Sequence, residues 1–190
     1  MRVIFDRAPQ PGAALLVMLP AAKARPEDFI EHGFIAELRS RALPVDVAAV
    51  DAHADLYLED NLVDRLETDV IQPLRAKGHV QIGLLGISLG GMGSIAYACR
   101  HGAAVSKLIL LAPFLGVRGA NGEPELLGAL SDEALPEIFL GYGTRDRYAR
   151  TSELLAQRLP AARVSTVAGG HDWPTWIKLW KIMLVQAFAK

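Results

Sequence analysis

Short apolar runs alternate with longer amphipathic stretches along almost the whole chain. The apolar runs predict strands, which we place at Ala14–Leu19, Val45–Val50, Val80–Ile87, Lys107–Leu111, Ile138–Gly141 and Arg163–Val167. Several of them are apolar throughout rather than at every second position, a pattern typical of strands covered on both faces. The piece Arg2–Phe5 is a further candidate, for an edge strand.

The stretches between the strands repeat their apolar residues at helical spacing. They predict helices over Glu27–Arg41, Asn61–Ala76, Gly91–Arg100, Thr151–Leu159 and Trp173–Ala189. Pro26 stands where a helix opens, and Gly78 and Gly102 stand where helices end. The least regular segment is Pro113–Pro136, which we interpret as a surface excursion with one short helix around Glu125–Leu130.

Regular alternation of strands and helices predicts an α/β fold. We expect a three-layer α/β/α sandwich with a mostly parallel sheet of about six strands, in a single domain over residues 1–190. A chain of this length buries a core large enough to be stable without disulfides. The single cysteine, Cys99, allows no disulfide within the chain and favours a reducing compartment, so the expected location is the cytoplasm.

Charge and hydropathy narrow the range of partners. The chain has 20 Lys and Arg against 21 Asp and Glu, without a basic run, so it lacks the positive surface of a nucleic-acid binder. No apolar run reaches the ~20 residues that a membrane helix needs.

Secretion stays open as an alternative to the cytoplasm, because Ala13–Leu19 followed by Ala22-Lys23-Ala24 imitates a secretory leader. Against it, Asp6 and Pro9 interrupt the expected basic region, and cleavage would remove a predicted strand.

The strongest chemical signal is the pentapeptide Gly86-Ile87-Ser88-Leu89-Gly90, between a predicted strand and a predicted helix. In this context the pattern Gly-x-Ser-x-Gly is typical of a nucleophile elbow, a tight turn that presents the serine at the C-terminal edge of a sheet. The positions two before and two after the serine must be small because neighbouring backbone passes close to them. A glycine-rich turn with an unimportant serine is the simpler alternative. The glycines do not match a dinucleotide-binding or phosphate-binding loop.

A serine hydroxyl needs a base to become a good nucleophile, and five histidines compete for that role. His171 comes directly after the last predicted strand, between Gly170 and Asp172, and therefore at the same sheet edge as Ser88. His53 also follows a strand and is the main rival. The remaining three lie within or after predicted helices, where we expect surface residues: His32, His79 and His101.

Asp146 is the best candidate for the carboxylate that orients the base. It lies in the loop that leaves the fifth predicted strand, and it gives the chain order Ser, Asp, His that nucleophile-elbow hydrolases have. The alternative is a surface aspartate that pairs with Arg145 or Arg147, or one that caps a helix. Asp172 is less suitable because a residue beside His171 in an extended loop usually points away from the ring.

Taken together, these residues resemble the α/β-hydrolase family over nearly the whole chain. The loop Gly169–Trp173 followed by Pro174-Thr175-Trp176, and the layout of Val17–Phe29, look like small lidless esterases of the carboxylesterase and thioesterase type. The resemblance implies an acyl-enzyme on Ser88 and a reaction that needs no cofactor and no metal.

The resemblance also implies an oxyanion hole made of backbone N–H groups, one of them from Leu89. Members of the family usually carry His-Gly after the first strand, whereas this chain has Pro20-Ala21. The second donor is then the N–H of Ala22, since Pro20 has none. Loss of one such donor typically lowers the rate by about 10²–10³, so a poorly formed hole would make a slow enzyme.

The expected substrate is a small or exposed ester, or a thioester, because Pro113–Pro136 is too short for a cap domain. The candidate residues of the pocket wall are Phe114, Leu115, Val117 and Trp173. Two other hypotheses stay open, a non-catalytic ligand-binding or regulatory module, which the missing His-Gly favours, and an acyltransferase. The expected partner is the small-molecule substrate alone, with the chain a monomer or a homodimer.

Overall fold

The computed structural model describes residues 1–10, 12, 14–117, 119, 123–130 and 136–188. Its strands are β1 (Val3–Asp6), β2 (Ala14–Leu19), β3 (Val45–Val50), β4 (Gln81–Ile87), β5 (Lys107–Leu111), β6 (Glu137–Gly143) and β7 (Val164–Val167). They form one sheet in the order β1-β3-β2-β4-β5-β6-β7. β1 runs antiparallel to β3, and the other neighbours are parallel. The six predicted strands and the candidate edge strand are therefore all present.

The helices are α1 (Asp28–Glu31), α2 (Phe34–Ser40), α3 (Ala54–Leu58), α4 (Leu62–Leu66), α5 (Gln72–Arg75), α6 (Leu89–His101), α7 (Glu125–Ala129), α8 (Ala149–Ala156) and α9 (Trp173–Ala187). A π-helical turn over Glu67–Ile71 joins α4 to α5, and 3₁₀ turns cover Gly102–Ala104 and Ala161–Arg163. None of the described helices is both long and apolar enough to cross a membrane.

Successive residues of β2 point into two different cores, as expected for a strand between two helical layers. Leu15, Val17 and Leu19 pack with α4, α5 and α6 on one face of the sheet. Leu16 and Met18 pack with α2 and α9 on the other. All five side chains are almost completely buried, and burial of each contributes about 2 kcal/mol. The predicted three-layer α/β/α fold is confirmed.

The predicted helices differ from the structure in their bounds. Those predicted over Gly91–Arg100 and Thr151–Leu159 are α6 (Leu89–His101) and α8 (Ala149–Ala156). The stretch Glu27–Arg41 is two helices rather than one, because Gly33 has a φ of 80° and ends the first turn of helix before α2 begins. The stretch Asn61–Ala76 is interrupted by the π-helical turn, and α3 was not predicted. The last helix ends at Ala187, with Phe188 as its C-cap, and Ala189 of the predicted range lies outside the described residues.

The excursion predicted over Pro113–Pro136 is described only in part. Residues 118, 120–122 and 131–135 lie outside the described residues. The short helix predicted within the excursion is α7.

His79 is buried, which corrects the expectation of a surface residue. Its Nδ1 lies 3.0 Å from the carbonyl oxygen of Leu74, and its Nε2 lies 2.9 Å from Oδ2 of Asp46 on β3. Asp46 Oδ1 accepts the backbone N–H of Ala8 at 2.8 Å. Burial alone raises the pKa of Asp46, but the N–H of Ala8 and the imidazole of His79 outweigh it and lower the pKa below its ordinary value.

Candidate active site

Ser88 lies between β4 and α6, at the tight turn that the pentapeptide predicts. Its φ of 51° and ψ of −111° are rare for a residue with a side chain. The N–H of Ser88 donates to the carbonyl of Leu111 at 2.9 Å, and its own carbonyl accepts the N–H of Phe114 at 2.9 Å. The elbow is therefore tied to the segment that follows β5.

The two glycines of the pentapeptide are there for steric reasons. A Cβ on Gly86 would lie 2.4 Å from the carbonyl oxygen of Gly90. A Cβ on Gly90 would lie 2.2 Å from the carbonyl oxygen of Leu19 and 2.6 Å from that of Pro20. Backbone atoms cannot yield as side chains do, so the turn around Ser88 accommodates only glycine at these two positions.

The loops that carry Asp146 and His171 are joined by backbone hydrogen bonds beyond the ends of their strands. The N–H of Thr144 donates to the carbonyl of Val167, and the N–H of Arg145 donates to the carbonyl of Gly169, both at 2.9 Å. A Cβ on Gly143 would lie 2.4 Å from the carbonyl oxygen of Gly169. This close approach brings the two loops to the same point of the sheet edge.

The structure brings Ser88, Asp146 and His171 together. Nε2 of His171 lies 2.9 Å from Oγ of Ser88, and Nδ1 lies 2.7 Å from Oδ2 of Asp146. A carboxylate accepts hydrogen bonds, so Nδ1 carries the proton and Nε2 is left to accept the hydroxyl proton of Ser88. The side chain of Asp146 is 1% exposed and that of His171 16% exposed, so the acid is shielded while the base can reach a substrate.

Asp146 also bonds the backbone of its own loop and does not cap α8, whose N-cap is Tyr148. Its Oδ1 accepts the N–H of Tyr148 at 2.7 Å, just before α8 begins. One carboxylate thus fixes its own loop through one oxygen and contacts His171 through the other. The two contacts support each other, because the hydrogen bond from Tyr148 holds the carboxylate in place.

Two aromatic residues for which the sequence analysis predicted no role in the site contact the imidazole of His171. The ring of Tyr148 meets it edge to face, with centroids 5.0 Å apart, and the ring of Trp176 does so at 5.1 Å. Trp176 is buried, and its indole N–H has no hydrogen-bond partner in the part of the chain that the structure describes. The only signal in the sequence was position, because Tyr148 comes two residues after Asp146 and Trp176 comes five residues after His171.

Asp172 caps α9 and does not orient His171. Its Oδ1 accepts the N–H of Thr175 at 2.9 Å, and this hydrogen bond lowers the pKa of the carboxyl. Trp173 begins the helix and stacks on His32, with centroids 4.4 Å apart and planes 14° apart. Because Trp173 also packs on Trp176, it belongs to the aromatic surroundings of the site.

The other three candidate wall residues differ in exposure. Phe114 is 40% exposed, and its backbone is bonded to Ser88, so it borders the elbow. Leu115 is completely buried in the core with Leu127, so the prediction that it lines an open pocket is wrong. Val117 is 64% exposed.

The backbone donors that the sequence predicts lie at two adjoining turns. The N–H of Leu89 is in the first turn of α6, where no intrahelical acceptor exists. The turn that contains Ala22 is closed by a hydrogen bond from the N–H of Ala24 to the carbonyl of Ala21, and it follows Pro20, which packs on Gly90. Among the described residues, the N–H groups of Leu89 and Ala22 have no backbone acceptor.

The other histidines are engaged elsewhere. The side chain of His53 is 55% exposed, with Nδ1 3.6 Å from Asp55. His101 stacks on Tyr97, and His79 pairs with Asp46. A cavity of about 610 Å³ lies beside this last pair, between β1 and α5, and none of the three residues Ser88, Asp146 and His171 lines it.

Comparison with known proteins supports the fold. The family model for the alpha/beta hydrolase fold matches residues 51–163. No curated protein sequence matches the chain.

Similar solved structures include a ferulic acid esterase, which is 16% identical, with 91% of this chain and 84% of that one covered at a TM-score of 0.71. An S-formylglutathione hydrolase (FrmB) from Staphylococcus aureus is 15% identical, with 92% and 81% covered at a TM-score of 0.69. A thioesterase domain from the curacin biosynthetic pathway is 13% identical, with 96% and 94% covered at a TM-score of 0.70.

At these identities the solved structures establish a shared fold and leave the chemistry to the residues of the site. The family model covers more than half of the chain and includes the elbow at Ser88 and the loop of Asp146. The protein therefore belongs to the α/β-hydrolase fold family.

Proposed function

We propose that the protein is a serine hydrolase that cleaves a small or exposed ester through an acyl-enzyme on Ser88. The observation that carries the proposal is the unbroken chain of hydrogen bonds from Ser88 Oγ through His171 to Asp146. Esterase, hydrolase and thioesterase occur among the names of the similar structures, which supports acyl transfer to water as the reaction class.

In the first half of the reaction, Ser88 Oγ attacks the ester carbonyl carbon while Nε2 of His171 takes the hydroxyl proton. Asp146 stabilises the imidazolium that forms and keeps Nδ1 protonated. The N–H groups of Leu89 and Ala22 are assigned to the oxyanion. The tetrahedral intermediate collapses as His171 returns the proton to the leaving alcohol, which leaves the acyl group on Ser88.

In the second half, His171 takes a proton from water, and the resulting nucleophile attacks the acyl carbonyl. Collapse of this intermediate releases the carboxylic acid and returns the proton to Ser88. Thioesters follow the same steps with a thiol as leaving group, so a thioester series beside the ester series decides between these substrate classes.

The test combines labelling with a fluorophosphonate probe, read by intact mass, and hydrolysis of p-nitrophenyl esters of increasing acyl length. We expect Ser88→Ala to abolish labelling and His171→Ala to lower kcat/KM at least about 10⁴-fold. Asp146→Asn places an amide N–H where a carboxylate was, which favours the wrong tautomer of His171, and we expect a loss of about 10³–10⁴ in kcat.

Matched controls come from the exposed Ser40 and His53, whose alanine variants should keep labelling and turnover. A folded wild-type protein that neither labels nor hydrolyses any ester or thioester contradicts the proposal. A ligand-binding module without catalysis then becomes the better account of the fold.

A further inference from the structure

Tyr148 lies beside the imidazole of His171 and is partly exposed to solvent. Its ring lies 5.0 Å from the imidazole of His171 at an interplanar angle of 82°, and the residue is 52% exposed. The ring therefore contacts the imidazole of His171, while about half of the residue stays exposed to solvent. A substrate bound at Ser88 has Tyr148 as a neighbour on the side of His171.

Arg147 is stacked on that ring. Its Cζ lies 4.7 Å from the centroid of Tyr148, within the range of a cation–π contact. The two centroid distances together place the guanidinium within about 10 Å of the imidazole of His171. A group at this distance reaches a substituent of the substrate rather than the reacting carbonyl.

The positive charge of Arg147 is not neutralised by the residues around it. In the described part of the chain Arg147 has no carboxylate partner, and neither does its exposed neighbour Arg145. The closest described carboxylates in sequence are already engaged, Asp146 by His171 and Glu153 by Arg150. The rim of the site beside Tyr148 therefore carries an arginine that no described carboxylate pairs with.

Another arginine of the same segment shows the contrast. Arg150 pairs with Glu153 at 3.6 Å, one turn along α8, as exposed arginines commonly do. Arg147 instead lies on an aromatic face, which restricts the guanidinium and leaves its N–H groups free to donate to a carboxylate or a similar anion. A restricted donor loses less conformational entropy on binding than a free one.

We propose that Arg147, stacked on Tyr148 beside His171, binds an anionic group of the substrate and makes the protein prefer esters that carry a carboxylate or similar anion. This inference rests on the proposed function, since it concerns the substrate class of the same site. The anionic group belongs either to the acyl part of the substrate or to its leaving group. Two pairs of esters, one for each position, distinguish these possibilities.

The test compares matched pairs of esters by their ratio of kcat/KM. p-Nitrophenyl hydrogen adipate against p-nitrophenyl hexanoate places the carboxylate on the acyl part, and 4-acetoxybenzoate against its methyl ester places it on the leaving group. We expect the wild-type protein to favour the anionic member of at least one pair, and the favoured pair identifies the side. Added salt should reduce the preference, because the contact is exposed.

Arg147→Gln should lower the ratio of anionic to neutral turnover about tenfold, mainly through KM of the anionic ester, and Arg147→Lys should lower it less. Arg147→Glu should reverse the preference. Arg150→Gln, which removes an arginine of the same segment, should leave the ratio unchanged and serves as the control.

Each result bears on one of the two proposals. The role of Arg147 is overturned if neutral esters are cleaved normally and Arg147→Gln leaves the ratio of anionic to neutral turnover unchanged. It is also overturned if Arg150→Gln changes that ratio equally. The serine hydrolase proposal stands in both cases. Absence of labelling at Ser88 and of turnover for all four esters overturns the proposed function, and the present inference with it.

Discussion

The backbone at Ser88 shows how one residue is prepared for its role. A residue with a side chain at this φ and ψ costs about 1–3 kcal/mol, and such conformations persist only where surrounding contacts hold them. The hydrogen bonds to Leu111 and Phe114 supply those contacts on both sides of the peptide. The turn keeps the serine carbonyl in the first turn of α6 while Oγ remains within reach of His171.

Substitution of Gly90 tests how tightly the elbow is packed. In Gly90→Ala the new Cβ meets the carbonyl oxygens of Leu19 and Pro20, so either the elbow or the turn after β2 must move. We expect a loss of about 2 kcal/mol or more in the free energy of unfolding and a fall in kcat/KM. Urea unfolding and ester hydrolysis on the same sample measure both.

Gly128 offers the control, because it lies within α7 and a Cβ there meets no atom of the described residues within 4 Å. Gly128→Ala should leave activity unchanged and raise the free energy of unfolding by up to about 1 kcal/mol, through higher helix propensity. Equal stability and activity in Gly90→Ala and the wild type would contradict the steric account of the pentapeptide.

At the scale of elements, the loops after β6 and β7 act together because their backbones remain hydrogen-bonded beyond the strands.

The N-terminus of α9 depends on Asp172, the residue next to His171. The φ and ψ of Asp172 are extended, and its carboxylate accepts the N–H of Thr175 while its carbonyl accepts that of Trp176. The cap therefore fixes both the start of the helix and the chain direction at His171.

Asp172→Ala should lower the free energy of unfolding by about 1 kcal/mol, as loss of an N-cap usually does. It should also lower kcat/KM severalfold, because the backbone at His171 loses its anchor to α9. Denaturant unfolding and ester hydrolysis measure the two effects. Asp172→Ser restores an N-cap acceptor and should recover most of both, and an alanine variant with unchanged stability would contradict the capping role.

Elements were predictable from sequence where local pattern determines them. The buried strands β2, β3 and β5 begin and end as predicted, because strands covered on both faces need mostly apolar sequence, here with only Asp46 and Lys107 as charged members. The break at Gly33 was not predictable, because the apolar spacing continues across it and only the left-handed φ ends the helix. The pairing of β1 with β3 depends on contacts distant in sequence.

The candidate site likewise contains residues whose positions the sequence predicts and residues whose contacts it does not predict. Ser88, Asp146 and His171 were predictable because each follows a strand at one edge of a parallel sheet, with glycines nearby. The contacts of Tyr148 and Trp176 with His171 were not, because the direction of a side chain from a loop or a first helical turn depends on tertiary packing. Burial of His79 was likewise missed, since its partner Asp46 is on a distant strand.

At the scale of the whole molecule, the pair of Asp46 and His79 links β3 to the segment between α5 and β4, and Asp46 also holds the N–H of Ala8. Because the folded-state pKa of Asp46 is lowered, its carboxylate stabilises the fold above its unfolded pKa of about 3.9. This contribution is lost as the pH falls through the lower folded pKa.

We therefore expect Asp46→Asn to lower the free energy of unfolding by about 2 kcal/mol at pH 7, and by progressively less below about pH 4. Urea unfolding at a series of pH values measures the difference. Asp64→Asn is the control, because Asp64 pairs with Arg100 on the surface at 60% exposure and should change stability little at any pH. A difference for Asp46→Asn that stays constant down to pH 3 would contradict this account.

The three residues assigned to catalysis follow β4, β6 and β7, so no local segment of the chain contains the site. Their side chains meet only when those strands hold their register through β5. A compact species that keeps its helices but loses the register of β6 and β7 separates His171 and Asp146 from Ser88. Under the proposed function, the fraction of protein labelled by a fluorophosphonate therefore measures the fraction of molecules with the native strand register. Helical content alone does not measure that fraction.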